Sequence, residues 1–254
     1  MLKDICEFVK DKNIILVGNS VEIMEYNLKE YIESFDVVVH FGKAIGRNKR
    51  QEKSLGDRTD IWVTGSFRAP MWYEYNLEFT KGKFKNTKII LNRCRLHLDA
   101  KPPKTPPFLY TNMFSDEELV NVFDEFGFGG DTPDNSKKRP SAGFLVILFF
   151  IRKVKIYKSL NLIGFDFFSK STDRIRPGCK IKTPHSWHLP LYTTSESAHN
   201  VDIEQGYVKK LESENKLQWN VLSDLREGTI EYTNWLKNSS LDDDTLLKYI
   251  ESCC

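Results

Sequence analysis

The stretch Asn13-Ile14-Ile15-Leu16-Val17-Gly18-Asn19-Ser20 decides the fold class. Its four aliphatic residues follow one another with no polar residue between them. That suits a strand buried on both faces, as in a parallel sheet covered by helices. The run stops at Gly18-Asn19-Ser20, and Ser20 reads as the cap of a helical stretch reaching about Tyr31. Working outward, further strands are expected at 36–41, 60–64, 88–92, 160–166 and 219–222. Strands alternating with helical stretches give an α/β class with a Rossmann-like, mostly parallel sheet.

Between these strands the punctuation is clear. Residues 99–112 are rich in proline, with Pro102, Pro103, Pro106 and Pro107 close together. Proline supplies no backbone N–H and fixes φ, so a surface connection is expected there. Ser115 to Phe126 reads as a helix with Asp116, Glu117 and Glu118 in its first turn. Gly127 to Arg139 reads as a loop. Pro140-Ser141-Ala142-Gly143 then opens a hydrophobic helix to about Lys153. Residues 169–198 are polar and lack periodicity, the mark of a lid or an acceptor-binding loop. A helix is expected from His199 to about Asn215, and two more at Thr229–Lys237 and Leu241–Ser252. The whole chain, 1–254, reads as one domain.

Composition narrows the function classes. The 254 residues carry 37 Lys+Arg against 35 Asp+Glu, a net charge of +2, which excludes a dedicated nucleic-acid coat or a polybasic membrane binder. The longest apolar run, Gly143 to Ile151, is about half of what a bilayer span needs, so it reads as a buried helix. The first residues, with Asp4 and Glu7, hold no signal-peptide core. The five cysteines, Cys6, Cys94, Cys179, Cys253 and Cys254, form no metal-ligand spacing and are expected to be reduced thiols. Cys253-Cys254 could accept two prenyl groups, but an exposed chain end is the simpler reading. A soluble, cytoplasmic protein is the expectation.

Three constellations carry chemistry. Gly18-Asn19-Ser20 sits where a strand runs into a helix, the edge at which open α/β sheets bind ligands. Helix N-terminal N–H groups suit a phosphate there, and Asn19 adds a donor and an acceptor. The plainer reading is a turn with a capping serine, and no dinucleotide fingerprint is present. Ser141-Ala142-Gly143 lets a ligand approach backbone closely, although Ser141 could simply cap its helix. His185, His188 and His199 fall within fifteen residues. An imidazole at a helix mouth can act as a general base near neutral pH. Glu204 follows in the next turn. Asp242-Asp243-Asp244 has a spacing that some metal-dependent transferases use, but acids in a first helical turn complement the dipole without a metal. No nucleophile-elbow motif supports a serine hydrolase.

Taken in order, these pieces resemble the sialyl motifs of the animal-type sialyltransferases, glycosyltransferase family 29. Val17-Gly18-Asn19-Ser20 is similar to the start of the large motif. Asp36 to Ala44 and Gly56 to Asp60 resemble its second half. Arg139 to Gly143, with Leu162-Ile163-Gly164-Phe165-Asp166, resembles the small motif. Trp187-His188 is similar to the short third motif, and His199 with Glu204 to the very short one. The ordered set covers roughly residues 13–210. Bacterial family 42 sialyltransferases share part of it, including the Gly-x-Asp-Phe strand end. Three departures stand out: Gly42 occupies a usual Asn, Ala142 a usual Thr, and the paired motif cysteines are missing.

The resemblance implies a GT-A-like sialyltransferase variant and an inverting, metal-independent transfer from a CMP-activated donor to a glycan hydroxyl. It implies His199 as base and His188 as the group that steadies or protonates the leaving phosphate. Gly18, Asn19, Ser20, Gly42, Ser141, Ala142, Gly143, Gly164, Asp166, Trp187 and Glu204 are the implied substrate-binding residues, Glu204 also supporting the His199 segment. Neither a cofactor nor a nucleic-acid partner is implied. The departures leave CMP-Kdo open as donor. They also leave open a degenerate nucleotide-sugar-binding protein and, more weakly, a hydrolase on the same fold.

Overall fold

The computed structural model describes residues 2–20, 23, 26–41, 49–64, 87–92, 109–128, 140–165 and 200–220. Among them, seven strands form one sheet: β1 Asn13–Val17, β2 Val37–Phe41, β3 Ile61–Thr64, β4 Ile89–Asn92, β5 Leu109–Asn112, β6 Ser159–Ile163 and β7 Gln218–Asn220. Their order is β5-β4-β3-β2-β1-β6-β7, and all six pairings are parallel. The α/β class read from the first strand is therefore the class of the molecule.

The sheet is apolar on both faces because both are covered. Ile14 and Leu16 of β1 pack with the helices Leu2–Val9, Asp116–Phe126, Ala142–Phe149 and Val201–Ser213. Ile15 and Val17 point the other way, toward Leu28, Ile32 and Leu55 from the helical segments Lys29–Glu33 and Lys49–Leu55 and their flanks. A residue pattern without alternation is what two-sided burial requires. The long apolar run is a core helix: Phe144 through Phe149 are each no more than 1% exposed. It ends in a π-helical turn, Phe150–Val154, closed by Lys155 at φ +60° with its N–H on the Phe150 carbonyl at 3.0 Å. Among the described residues no helix is long and apolar enough to cross a membrane.

Polar side chains fix the register at the amino edge. The Asp36 carboxylate accepts from Asn13 N and Nδ2 at 2.8 and 3.1 Å, and Ser159 Oγ donates to Asn13 Oδ1 at 2.9 Å. Asp60 accepts from Val38 N and from Arg58 Nε, both at 2.8 Å, while Arg58 also donates to the carbonyls of Glu33 and Asp36. Gly56, at φ +73°, leaves room for the Glu33 carboxylate, which a Cβ would meet at 2.7 Å. Residues 56–60 thus act as a brace between β2 and β3. They lie at the edge opposite the strand carboxyl ends.

Three readings change. The helix expected from Ser20 to Tyr31 is shifted: among the described residues the α-helix runs from Lys29 to Glu33. Before it, two i to i+3 bonds, Ile23 N to Ser20 O and Tyr26 N to Ile23 O, each 3.2 Å, are of the 3₁₀ kind, and residues 21–22 and 24–25 lie outside the described residues. Ser20 N donates to the Gly164 carbonyl at 3.0 Å, which ties this residue to the end of β6. The connection expected over 99–112 ends in strand β5, which pairs with β4 on the flank of the sheet. Strand β6 stops at Ile163, because Gly164 turns at φ +68°. The loop at 169–198, most of the loop at 127–139, the helices expected at 229–237 and 241–252, and Asp242 to Asp244 lie outside the described residues.

Candidate functional site

Strand order reverses between β1 and β6. From β1 the chain builds toward β2, β3, β4 and β5 on one side, and β6 and β7 lie on the other. In open parallel sheets the crevice outside the carboxyl ends at such a reversal is the ligand site. Gly18 follows β1 there, and Gly164 follows β6.

The two glycines are required by contact. A Cβ on Gly18 would lie 2.3 Å from the Gly164 carbonyl oxygen and 2.9 Å from the Phe165 ring. Gly18 N donates to Ile163 O at 2.8 Å, so the two strand ends stay hydrogen-bonded past the sheet. A Cβ on Gly164 would meet Ile23 at 2.7 Å, and its φ of +68° favours glycine independently. Gly143 faces the same ring: its Cβ would lie 2.8 Å from Phe165. Phe165 also meets Phe41 edge to face at 5.7 Å, and its carbonyl accepts from Trp219 Nε1 at 3.1 Å. The ring is a wedge around which the ends of β1, β2 and β6 and the start of the helix Ala142–Phe149 close.

Asn19 stands beside that wedge. Its Nδ2 donates to the Phe41 carbonyl at 3.4 Å, which turns the amide, and its Oδ1 is buried with no hydrogen-bond partner among the described residues. A buried carbonyl oxygen without a donor is costly and marks a place where a donor from outside would be bound favourably.

Ser141 and Glu204 close the far wall. Ser141 Oγ accepts from Phe144 N at 3.0 Å, so it does cap its helix. Ser141 also gives both its donors to one carboxylate: N to Glu204 Oε1 at 2.7 Å and Oγ to Glu204 Oε2 at 2.6 Å. Glu204 is 1% exposed. It lies in the first turn of the helix Val201–Ser213, whose N-cap is Asn200, with Oδ1 accepting from Ile203 N at 3.4 Å. Position 199 therefore immediately precedes a helix whose first turn is tied to the Ser141 turn.

Of the residues singled out from sequence, Gly18, Asn19, Ser20, Ser141, Ala142, Gly143, Gly164 and Glu204 belong to these connected turns. Gly42, Asp166, Trp187, His188 and His199 lie outside the described residues. The described α-helix after Ser20 starts at Lys29, with residues 21–22 and 24–25 outside the described residues; the helix start at Ala142 borders the crevice. Sequence reasoning missed Phe165 as wedge, Phe41 as its partner and Trp219 as its anchor. The signal was the glycine on two of the contacting segments, Gly18 and Gly143, which reads as room for a neighbour only once the neighbour is known. Among the described residues no group of three or more His, Cys, Asp or Glu side chains is placed to hold a metal ion.

No protein-family model matches this chain, and no curated protein matches it. Solved structures do. A mammalian sialyltransferase in complex with Gal-β-1-3GalNAc-ortho-nitrophenol superposes over 85% of this chain and 71% of that one, with a TM-score of 0.51 and 17% sequence identity. A second structure of a mammalian sialyltransferase covers 83% of this chain and 69% of that one, with a TM-score of 0.51 and 19% identity. The chain has the fold of these sialyltransferases.

Proposed function

We propose that the chain is a glycosyltransferase that moves sialic acid, or a related nonulosonate such as Kdo, from a CMP-activated donor to a glycan hydroxyl. The carrying observation is the meeting of Gly18–Ser20, Ser141–Gly143 and Gly164–Phe165 at the reversal point of a sheet with a sialyltransferase fold. In this reading the partnerless Asn19 Oδ1 accepts a hydroxyl of the nucleotide ribose. The backbone N–H groups at the start of the helix Ala142–Phe149 face the phosphate or the sugar carboxylate, since a helix N-terminus is favourable for anions.

The reaction assigned to the site is a direct displacement with inversion. The acceptor oxygen forms a bond to the anomeric carbon as the bond from that carbon to the CMP phosphate oxygen breaks. The acceptor proton goes to His199, whose imidazole type titrates near neutrality. CMP leaves with the bonding electrons, and His188 donates a hydrogen bond or proton to the phosphate. Gly42, Asp166 and Trp187 complete the proposed donor pocket. The scheme uses no cofactor and no metal ion.

A donor panel tests this. CMP-sialic acid, CMP-Kdo and UDP-sugars are compared by thermal shift, since a ligand of the native state raises stability by mass action. CMP release is then followed with and without a glycan acceptor. Stabilisation by a CMP-sugar with slow CMP release in water, accelerated by acceptor, supports the proposal. Stabilisation by UDP-sugars alone overturns it. The departures at Gly42 and Ala142 favour a second reading, a CMP-sugar-binding protein without turnover. It predicts stabilisation with no CMP release under any condition.

A further inference from the structure

The sheet carries a second polar feature at its carboxyl edge, away from the crevice. Strand β4 is apolar until its last residue, Asn92, which is fully buried. Its register partner is Asn112, the last residue of β5. Asn92 Nδ2 donates to Asn112 Oδ1 at 3.1 Å. A buried amide spent in this way fixes the orientation of its neighbour, because a donor bond to Oδ1 sets which side of the Asn112 amide carries the NH2 group. Asn112 itself is exposed. Its backbone does not share that freedom: Thr111, Met113 and Phe114 around it are all buried, and Met113 N donates to the Asn92 carbonyl at 2.9 Å. An exposed amide held by a buried one, on a rigid strand end, is a preorganised hydrogen-bonding group.

The rest of the edge decides what it meets. On the β7 side of the crevice, Trp219 is 9% exposed and bonded to Phe165 O and Glu212. The β2 to β5 strands lie on the other side of the reversal point. Asn112 lies four strands from β1, on the order of 19 Å at ~4.8 Å per strand step. That is too far to touch the reacting hydroxyl and suits a sugar further along the acceptor. The amide pair carries no charge and offers both donor and acceptor character, which matches the hydroxyls of a neutral sugar.

We propose that Asn112, oriented by Asn92, binds a neutral sugar residue of the acceptor glycan remote from the reacting one, and so sets a preference for longer acceptors. This rests on the transferase reading above. The test compares wild type with Asn112→Ala, using CMP-sialic acid or CMP-Kdo as donor, whichever the wild type turns over, and methyl β-galactoside or a neutral galactose-terminated tetrasaccharide as acceptor. The expected result is a rise in KM for the tetrasaccharide of about three- to tenfold beyond any change with the monosaccharide, the scale of one neutral hydrogen bond. Circular dichroism checks that the exposed substitution leaves the fold intact. Equal changes for both acceptors, or none, overturn the inference and leave the transferase reading standing. Failure of the wild type to release CMP from either donor overturns the reading and this inference together.

Discussion

Glu204 is a single side chain that joins two segments 63 residues apart. Both its oxygens bind Ser141, so truncation leaves a buried Ser141 N–H without an acceptor. Glu204→Ala is expected to cost about 2–3 kcal/mol, whereas Glu204→Gln, which keeps an oxygen for that N–H, costs less. Urea denaturation midpoints check the ranking, and equal midpoints for the two variants would sink the tie. Gly18 offers a second case. A Cβ there meets backbone at 2.3 Å, and backbone cannot turn aside, so Gly18→Ala is expected to cost about 1–3 kcal/mol. Gly143→Ala meets a side-chain ring, Phe165, rather than backbone, so its melting temperature should fall less. At this scale the sequence singled out Gly18, Ser141, Gly164 and Glu204. It could not show that Ser141 belongs to Glu204 or Gly18 to Gly164, because no local spacing rule links them.

Elements were legible where their signals are local. The helix Asp116–Phe126 carries its own instructions: Ser115 Oγ accepts from Glu118 N at 3.2 Å, and the Glu118 carboxylate accepts from Ser115 N at 2.7 Å. Ser115→Ala is expected to cost about 1 kcal/mol by thermal or urea denaturation. The bond from Ser115 N, followed by the contact with Lys153, holds the Glu118 carboxyl below its ordinary 4.5. A carboxyl lowered in the folded state stabilises above its unfolded pKa, and that contribution is lost as pH falls through the folded value. The melting-temperature gap between wild type and Glu118→Gln should therefore be present at pH 7, shrink below 4.5 and vanish once both states are protonated. It should be small, since the carboxylate is 43% exposed. An equal gap at pH 7 and pH 3 would contradict this. After Ser20 the described bonds are i to i+3, and the α-helix begins only at Lys29, while Ser20 N finds a tertiary partner, Gly164 O, that local spacing does not show. Strand β5 was hidden for another reason. It is four residues long, follows Pro106-Pro107 and sits on a sheet flank, where neither length nor two-sided burial marks a strand.

At the scale of the whole molecule, the strand order makes the site. An all-parallel sheet puts every carboxyl end on one edge, and the reversal between β1 and β6 opens the crevice that Phe165 and its three glycines define. The motif order in the chain predicted those glycines. The wedge, its Trp219 anchor and the Glu204 tie needed the fold, because each joins segments distant in sequence. This arrangement separates two ways of losing activity. In the proposed scheme His199 takes the acceptor proton, while Glu204 holds one crevice wall through Ser141. His199→Ala is therefore expected to abolish transfer and keep the thermal stabilisation by CMP, which at 100 times the dissociation constant is about 2.7 kcal/mol. Glu204→Ala is expected to lose part of that stabilisation as well, because the Ser141 turn is released. Thermal shift with CMP and a transfer assay on the same three proteins decide it. Near-wild-type turnover by His199→Ala would remove the base assignment. An unchanged CMP shift in Glu204→Ala would mean that the Ser141 wall does not contact the nucleotide.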